Sequence, residues 1–218
     1  IIGQCEIVYT TTITNKGQPG DPQQVYSNHA EYNGYNTSSG VSYRPISPVI
    51  KKLESKDNQY DSFDVSNTYN WYVELNIPNN QEEYIYTDVL TSNTQTNEIV
   101  HYFLNKDHMK LSILDDNGQT LDNIVSSILY IDNNNQEYED FHDDKTITGF
   151  KIIFNDEIKN YSTIKISYSS YAEFKDDIDS YIRYTNTGSF VNHKTSYDEN
   201  HRKLNGLEKY AGKWDGKT

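Results

Sequence analysis

Between residues 69 and 77 the sequence reads YNWYVELNI, in which every second residue is aromatic or aliphatic. Alternation of apolar and polar residues is typical of a β-strand with one face in a core and the other in water. The pattern recurs in short runs separated by Asn, Asp, Gly and Pro. The predicted strands cover residues 6–14, 49–53, 69–77, 84–90, 99–104, 110–114, 149–154, 163–168, 181–184 and 188–191. The sequence therefore predicts an all-β chain.

Three other segments refine this prediction. The Asn117-Gly118 pair, which lies between two apolar runs, predicts a tight hairpin. Residues 123–130 fit either a strand or one or two helical turns, and acidic residues crowd a possible helical turn over 172–180. Neither of these two segments changes the fold class.

Composition limits the function classes. The chain has 218 residues, enough for one large or two ordinary domains. Its net charge of −13 repels phosphate backbones and anionic lipid, so we expect neither nucleic acid nor a membrane as a partner. The 20 Tyr, 7 Phe and 2 Trp provide more aromatic surface than a disordered chain carries. Cys5 is the only cysteine, which excludes an intrachain disulfide framework.

Two sequence elements occur twice. The first is a strand, a polar excursion and then Tyr-Ser/Thr-Asn, and it spans Glu6–Ala30 and again Thr163–Gly188. The second is an apolar-x-Lys run followed by an aromatic-Asp pair, and it spans Val49–Asp61 and Leu207–Asp215. Repetition of two different elements in a consistent order indicates repeated domains. The alternative is chance recurrence in a chain rich in Asn and Tyr.

The order of these copies predicts the domain organisation. Only residues 45–195 hold a complete unit, because both a Lys element and the Asn element that follows it lie there. Residues 1–43 are then the C-terminal strands of a preceding domain, and residues 203–218 are the first strand of a following repeat. The stretches 40–48 and 193–205 are the predicted linkers. We therefore expect a segment of a longer tandem array.

Five segments carry a resemblance to a known family: Val49–Lys51, Trp71–Asn76, Ile85–Leu90, Ile147–Phe154 and Tyr184–Phe190. In their order and spacing they resemble the Ig-like domains of Gram-positive surface adhesins and fimbrial proteins, of the collagen-adhesin and isopeptide-forming types. The resemblance implies an Ig-like β-sandwich for 45–195, with pieces of similar domains on both sides.

The resemblance also implies a cross-link. In that family a Lys on the first strand and an Asn on the last strand are joined through their side chains, with a buried Asp or Glu assisting. Carried onto this sequence, the residues are Lys51, Asn186 and Asp88. The chemistry needs a dry site, since burial favours the uncharged amine that attacks the amide and the neutral acid that polarises it.

The lysine assignment has a physical basis and an open alternative. Val49, Lys51 and Leu53 share one face of a strand, which would point the Lys51 amine inward, whereas Lys52 would point outward. A bulge in the strand would favour Lys52 instead. Gly188 also departs from the family, where Ala is expected two places after the Asn.

A purely structural interpretation competes with the cross-link. Lys51 and Lys52 could both be solvated charges that protect an edge strand, and Asn186 could be a turn residue.

Other motifs are weaker. The six His residues have no metal-ligand or triad spacing, and we expect them on the surface. The acidic segments 137–144 and 115–117 lack the spacing of a calcium loop, so solvated acidic loops are favoured over calcium sites. The chain has no motif for catalysis on an outside substrate. We expect no cofactor, no metal and no enzymatic activity.

Two functional hypotheses follow from the resemblance, both for a secreted protein anchored to the cell wall through regions outside this chain. One is a structural stalk segment stiffened by the isopeptide bond. The other is an adhesion module that binds a host or extracellular-matrix protein, collagen-like or other, by strand addition or between domains. A carbohydrate-binding module is a third, more distant alternative. An exposed apolar patch would favour a binding module, and a polar surface would favour a stalk.

Overall fold

The computed structural model describes residues 8, 10–14, 16–61, 64–93, 99–174 and 181–202. It divides the chain into two units, Ile1–Ile46 and Ser47–Thr218, which are described here one at a time. The first-strand element predicted at 203–218 lies outside the described residues, as do residues 175–180 of the possible helical turn. Of the strand predicted at 6–14, residues 8 and 10–14 are described, and they form no strand.

The first unit contains an antiparallel hairpin of β1 (Gln24–Tyr32) and β2 (Tyr35–Tyr43). Its two turn residues, Asn33 and Gly34, have φ values of 50° and 79°. Positive φ at both central residues is the geometry for which an Asn-Gly pair is preferred. The strand β2 extends over residues 40–43 of the predicted linker 40–48, so that part of the linker prediction is wrong. The sequence did not indicate this strand, because it is rich in Ser and Gly and lacks the apolar alternation that identifies strands.

The second unit is built from two antiparallel sheets. The strands of the first sheet are β3 (Val49–Asp61), β4 (Asp64–Asn76), β6 (His101–Tyr102), β7 (Ser112–Leu114) and β11 (Thr163–Phe174). The strands of the second sheet are β5 (Ile85–Asn93), β8 (Val125–Asp132), β9 (Glu137–Tyr138), β10 (Ile147–Phe154), β12 (Tyr181–Phe190) and β13 (His193–Arg202). A short helix, α1 (Lys106–Met109), and a 3₁₀ helix at Asp156–Asn160 lie in the connections.

Strand order brings distant parts of the chain together. The first sheet has the order β3-β4-β11-β6, with β7 also paired to β11. The second sheet has the order β13-β12-β5-β10-β8-β9. Strand β3, near the start of the unit, and strand β12, near the end of its described part, thus belong to opposite sheets. The predicted all-β sandwich is confirmed.

The core lies between the two sheets. The alternation that predicted a strand at 69–77 buries Trp71, Val73 and Leu75 from β4. The second sheet contributes buried rings, of which Tyr86 and Phe150 pack with centroids 5.9 Å apart. Each side chain of this size stabilises the fold by about 1.5–3 kcal/mol when it is fully buried.

In this unit the structure corrects a predicted linker and resolves a segment whose type the sequence left open. The polar stretch predicted as a linker at 193–205 forms β13 over its described part, paired with β12 through a turn at Val191 and Asn192. It is an edge strand with a mostly polar sequence, and its Tyr197 ring packs against Trp71 with centroids 5.2 Å apart. The ambiguous segment 123–130 is a strand from Val125 onward. The division into a preceding domain, a complete domain at 45–195 and a following repeat stays a prediction.

Candidate functional site

Lys51 lies on β3 with its side chain directed into the sandwich. It is paired with Val73 of β4, and its side chain is 1% exposed. The ammonium lies 5.2 Å from the centre of the Trp71 ring and 5.5 Å from that of Tyr168. The bulge in β3 falls between Leu53 and Ser55, after the lysine, so the inward register holds at Lys51, and Lys52 is exposed.

Asp88 and Asn186 lie on neighbouring strands of the second sheet. Strands β5 and β12 pair so that Gly188 is opposite Asp88 and Asn186 is opposite Leu90. Asp88 and Asn186 are therefore diagonal neighbours on the inner face, close enough for their side chains to share one partner. Both residues are 0% exposed.

The structure brings these three predicted site residues into contact. Lys51 Nζ donates a hydrogen bond to Asp88 Oδ2 at 2.5 Å and another to Asn186 Oδ1. The amine and the amide that it would attack are therefore held together without intervening solvent. The sequence resemblance placed the Asn on the last strand, whereas here β13 follows the strand that carries Asn186. The covalent bond itself stays a prediction.

Two tyrosines complete the site. The hydroxyls of Tyr86 and Tyr168 each donate a hydrogen bond to Asp88 Oδ2 at 2.5 Å. Asn186 Nδ2 donates to the Tyr168 hydroxyl at 3.1 Å. The other carboxylate oxygen, Asp88 Oδ1, is buried and has no hydrogen-bond partner among the described residues. Burial, and after it the nearby Asp88 charge, raises the pKa of both tyrosines well above the usual value, so both remain hydroxyls.

Burial also sets the state of the amine. Desolvation lowers the pKa of Lys51 to about 8, although the attraction and hydrogen bond of Asp88 oppose it. A buried ion pair recovers its desolvation cost only with good geometry and further hydrogen bonds. The site therefore holds a lysine that gives up its proton more readily than a surface lysine, which nucleophilic attack requires.

His101 lies beneath this site, so the prediction that the histidines are on the surface is wrong for this residue. It is 1% exposed, and its Nε2 lies 2.9 Å from Ser170 Oγ, which also accepts a hydrogen bond from Trp71 Nε1. Burial, followed by the charge of Lys51, lowers the pKa of His101 to about 3. The neutral His101 ring and the Trp71 indole thus share Ser170 as a hydrogen-bond partner, and the face of that indole contacts the Lys51 ammonium.

Sequence reasoning missed Tyr86, Tyr168 and His101. One signal was present for Tyr86, which precedes Asp88 by two residues and therefore shares its face of β5. Tyr168 and His101 had no comparable signal, because an aromatic residue within a strand is usually part of the core.

In the turns that begin at Asp115 and Asp132, the carboxylates accept hydrogen bonds from nearby backbone N–H groups. Asp115 Oδ1 accepts hydrogen bonds from the backbone N–H groups of Asn117 and Gln119, each at 2.8 Å. Asp132 Oδ1 accepts equivalent bonds from Asn134 and Gln136 at 2.8 and 2.9 Å. Within the described part of the chain, no group of three or more His, Cys, Asp or Glu side chains is arranged to hold a metal ion. The predicted Asn117-Gly118 turn is present, with the φ of Gly118 at 79°.

Comparison with known proteins finds similar structures but no sequence family. No family model and no curated protein matches the chain. The chain is similar to ACE19, the collagen-binding subdomain of the Enterococcus faecalis surface protein ACE, with 13% identity, coverage of 72% of this chain and 95% of that one, and a TM-score of 0.35. It is also similar to the collagen-binding domain of a Staphylococcus aureus adhesin, with 9% identity, 68% and 95% coverage and a TM-score of 0.30.

A third similar structure is the C-terminal domain of the AgI/II polypeptide BspA of Streptococcus agalactiae. The identity is 11%, the TM-score is 0.31, and the match covers 84% of this chain and 59% of that one. These structures come from Gram-positive surface proteins, the group that the sequence resembles. The described residues contain no helix long and apolar enough to cross a membrane.

Proposed function

We propose that the unit Ser47–Thr218 is a stalk domain of a bacterial surface protein, closed by an amide bond between Lys51 and Asn186. The observation that carries the proposal is the contact of the Lys51 amine with both Asp88 and Asn186 in a site where all three side chains are buried. A surface lysine and a turn asparagine, the competing interpretation, would not meet at such a position.

The reaction joins two side chains that are already in contact. Lys51 Nζ, after passing one proton to Asp88, attacks Cγ of Asn186, and the carbonyl electron pair moves onto Oδ1. The carbonyl then re-forms as the bond from Cγ to Nδ2 breaks, and one ammonia leaves. Holding the two groups together removes much of the entropic barrier to such a step. Exclusion of water protects the intermediate from hydrolysis.

The bond would connect the two sheets at mechanically useful positions. Lys51 lies on the first strand of the unit, and Asn186 lies on β12, the penultimate described strand. Tension applied along the chain would reach these two residues first and pass through the amide, so the strands between them would carry little load. Closing a loop of this length would also stabilise the fold by about 5 kcal/mol in the chain-entropy treatment.

Surface composition supports a stalk rather than an apolar binding module for this unit. Among the residues of this unit whose side-chain burial is described, Leu104, at 42%, is the only exposed large apolar side chain. Binding surfaces are usually larger contiguous apolar patches. We further propose an extracellular location, with cell-wall attachment through regions outside this chain.

The proposal is tested by the intact mass of the folded protein. The mass should be lower than that of the sequence by one ammonia, and Lys51→Ala and Asn186→Ala should each remove this deficit. Asp88→Ala should slow or abolish bond formation. Lys52→Ala is the matched control, because the neighbouring lysine is exposed and should leave the deficit in place. A wild-type mass equal to the sequence mass would contradict the proposal.

A second candidate, binding of a host or extracellular-matrix protein, is favoured by the β1–β2 hairpin. Its residues Val25, Tyr32, Tyr35 and Val41 are between 56% and 82% exposed. Strand addition along such a hairpin would cover them. Binding to immobilised collagen that is lost when Tyr32 and Tyr35 are both changed to Ser would support this role. Equal binding of both proteins, or none, would contradict it.

A further inference from the structure

We infer that Tyr168 is a catalytic residue of the cross-linking reaction, passing a proton from Asp88 to the departing nitrogen of Asn186. The inference rests on the proposed function. Lys51 is hydrogen-bonded to Oδ1 of Asn186, whereas Tyr168 is the hydrogen-bond partner that the structure gives to Nδ2.

The hydrogen bonds at the site form a continuous path. Lys51 Nζ lies 2.5 Å from Asp88 Oδ2, and Asp88 Oδ2 lies 2.5 Å from the Tyr168 hydroxyl oxygen. The Tyr168 oxygen in turn lies 3.1 Å from Asn186 Nδ2. The path thus begins at the nitrogen that must lose protons and ends at the nitrogen that must gain one.

The leaving group needs this proton. An amide nitrogen departs as ammonia only after it acquires a third hydrogen, because the amide anion is too basic to leave at neutral pH. Solvent is a poor donor here, since Asp88 and Asn186 are both 0% exposed. The donor must therefore be a protein group in contact with Nδ2, and the Tyr168 hydroxyl is in contact with it.

The proton count balances along this path. The Lys51 ammonium first gives one proton to Asp88, and the amine then attacks Cγ. In the tetrahedral intermediate, Tyr168 donates its proton to Nδ2 and takes the proton held by Asp88, while Nζ gives a second proton to Asp88. The bond from Cγ to Nδ2 breaks. The products are an amide N–H on Lys51, a neutral ammonia and a protonated Asp88, with the same number of hydrogens and the same zero net charge as the starting ion pair and amide.

The hydroxyl must give and receive a proton in one step. The pKa of Tyr168 is raised well above the usual value by burial, then by the neighbouring Asp88, so a free tyrosinate would be costly. A concerted transfer never produces one. In the starting state Tyr168 donates to Asp88 and accepts from Asn186. Both hydrogen bonds reverse in the intermediate, where Asp88 holds a proton and Nδ2 has gained a lone pair that can accept one.

Tyr86 provides a matched control for this role. Its hydroxyl donates to the same carboxylate oxygen at the same 2.5 Å, and it is equally buried. Tyr86 donates to Asp88, and its hydroxyl also interacts with that of Tyr168, whereas Tyr168 is hydrogen-bonded to both Asp88 and Asn186. Removing the Tyr86 hydroxyl takes a bond from Asp88 but leaves the proton path complete.

The test is the rate of ammonia loss during cell-free synthesis, with samples quenched at set times and weighed. Tyr168→Phe should form the cross-link about 100-fold more slowly or worse, the range expected for loss of a general acid. Tyr86→Phe should be slowed less than about tenfold, the effect of one hydrogen bond. A protein with 3-fluorotyrosine at position 168 keeps the hydroxyl but is a stronger acid, and it should restore formation with an altered rate.

The outcomes separate this inference from the proposed function. If the wild-type protein loses ammonia and Tyr168→Phe is no slower than Tyr86→Phe, the relay is wrong and the cross-link stands. If the wild-type protein never loses ammonia, the proposed function fails. If Tyr168→Phe does not fold, the rate of the protein with 3-fluorotyrosine at position 168 tests the relay instead. An altered rate would support the relay, and a rate identical to that of the wild type would overturn it.

Discussion

The hairpins β1–β2 and β12–β13 share one backbone design and differ in their surroundings. Each has a two-residue turn with positive φ at both positions, at Asn33 and Gly34 in one and at Val191 and Asn192 in the other. Asn28 precedes its turn by five residues, and Asn186 precedes its own turn by five. The repeated Tyr-Ser/Thr-Asn element thus occupies the same place in the same supersecondary structure.

Burial separates the two asparagines. Asn186 is 0% exposed beneath the first sheet, whereas Asn28 is exposed on its hairpin, with Tyr32 at 78%. The hairpin determines the position of an Asn. At Asn186 the opposite sheet adds the lysine, the neighbouring strand β5 adds the acid, and the space between the sheets is dry, which together support its proposed role as an acyl donor. The match supports, as a proposal, the assignment of residues 1–43 to the end of a preceding repeat.

The largest expected effect comes from replacing the two equivalent asparagines one at a time. Asn186→Ala should lower the free energy of unfolding by about 5 kcal/mol, because it prevents the proposed cross-link that would restrict the unfolded chain. Asn28→Ala is the matched change on the exposed hairpin, and it should change the free energy of unfolding by no more than about 0.5 kcal/mol. Denaturant unfolding of both variants measures the difference. Equal effects would contradict different roles for the two residues.

A second prediction concerns pH in the protein without the bond. In Asn186→Ala the buried Lys51 keeps its amine, whose pKa is lowered from 10.5 to about 8 in the folded state, chiefly by desolvation. The unfolded chain then binds more protons between these values, so stability should rise with pH across that window, by up to about 3 kcal/mol.

The control for this rise is the double variant Lys51→Ala with Asn186→Ala, which has no amine to titrate. Denaturant unfolding at several pH values from 7 to about 10.5 gives the difference between the two proteins. A flat difference across this range would show that the unreacted lysine is not buried as described.

A third prediction uses the residue two places after each asparagine. A Cβ at Gly188 would lie 2.8 Å from the Tyr86 hydroxyl, whereas Ala30 holds the equivalent place on the exposed hairpin. Gly188→Ala should lower the free energy of unfolding by about 1–3 kcal/mol, because the added methyl group forces Tyr86 away from Asp88. The same displacement should slow cross-linking.

Gly40→Ala on β2 is the control for this change, since a Cβ there would meet Tyr26 at an ordinary 3.4 Å. Thermal unfolding and the time course of ammonia loss measure the two effects. A Gly188→Ala protein as stable and as reactive as the wild type would mean that Tyr86 does not need this space.

The smallest effect concerns the turns. Val191 is β-branched and has a φ of 46°, a region that favours Asn or Gly, whereas the other hairpin already has the preferred Asn33-Gly34 pair. Changing Val191 to Asn and Asn192 to Gly should raise the free energy of unfolding by about 1 kcal/mol. Denaturant unfolding measures it, and a loss of stability would indicate that the packing of Val191 outweighs the backbone strain.

The sequence predicted the fold where strands alternate apolar and polar residues, as at Tyr69–Ile77. It missed β1, β2 and β13, whose polar, largely exposed side chains give no period-two signal. It also divided β12 into two runs, since Asn186 and Gly188 interrupt the apolar pattern at the inward positions that serve the site.

The site was predictable only in part. Alternation around Lys51 gave its inward direction, and the family resemblance supplied Asp88 and Asn186. Tyr168 is brought to the site by the pairing of β11 with β4, a long-range register that no local pattern encodes. The same holds for His101, which reaches the core through a two-residue strand paired with β11.

The most direct test of the account is tandem mass spectrometry of a protease digest of the wild-type protein. The account predicts a branched peptide in which the Lys51 side chain is joined to that of Asn186, with a mass one ammonia below the sum of its two parts. Locating the branch matters because an Asn-Gly pair, such as Asn117-Gly118, can also lose ammonia by closing on its own backbone. Separate, unmodified peptides containing Lys51 and Asn186 would contradict the central claim.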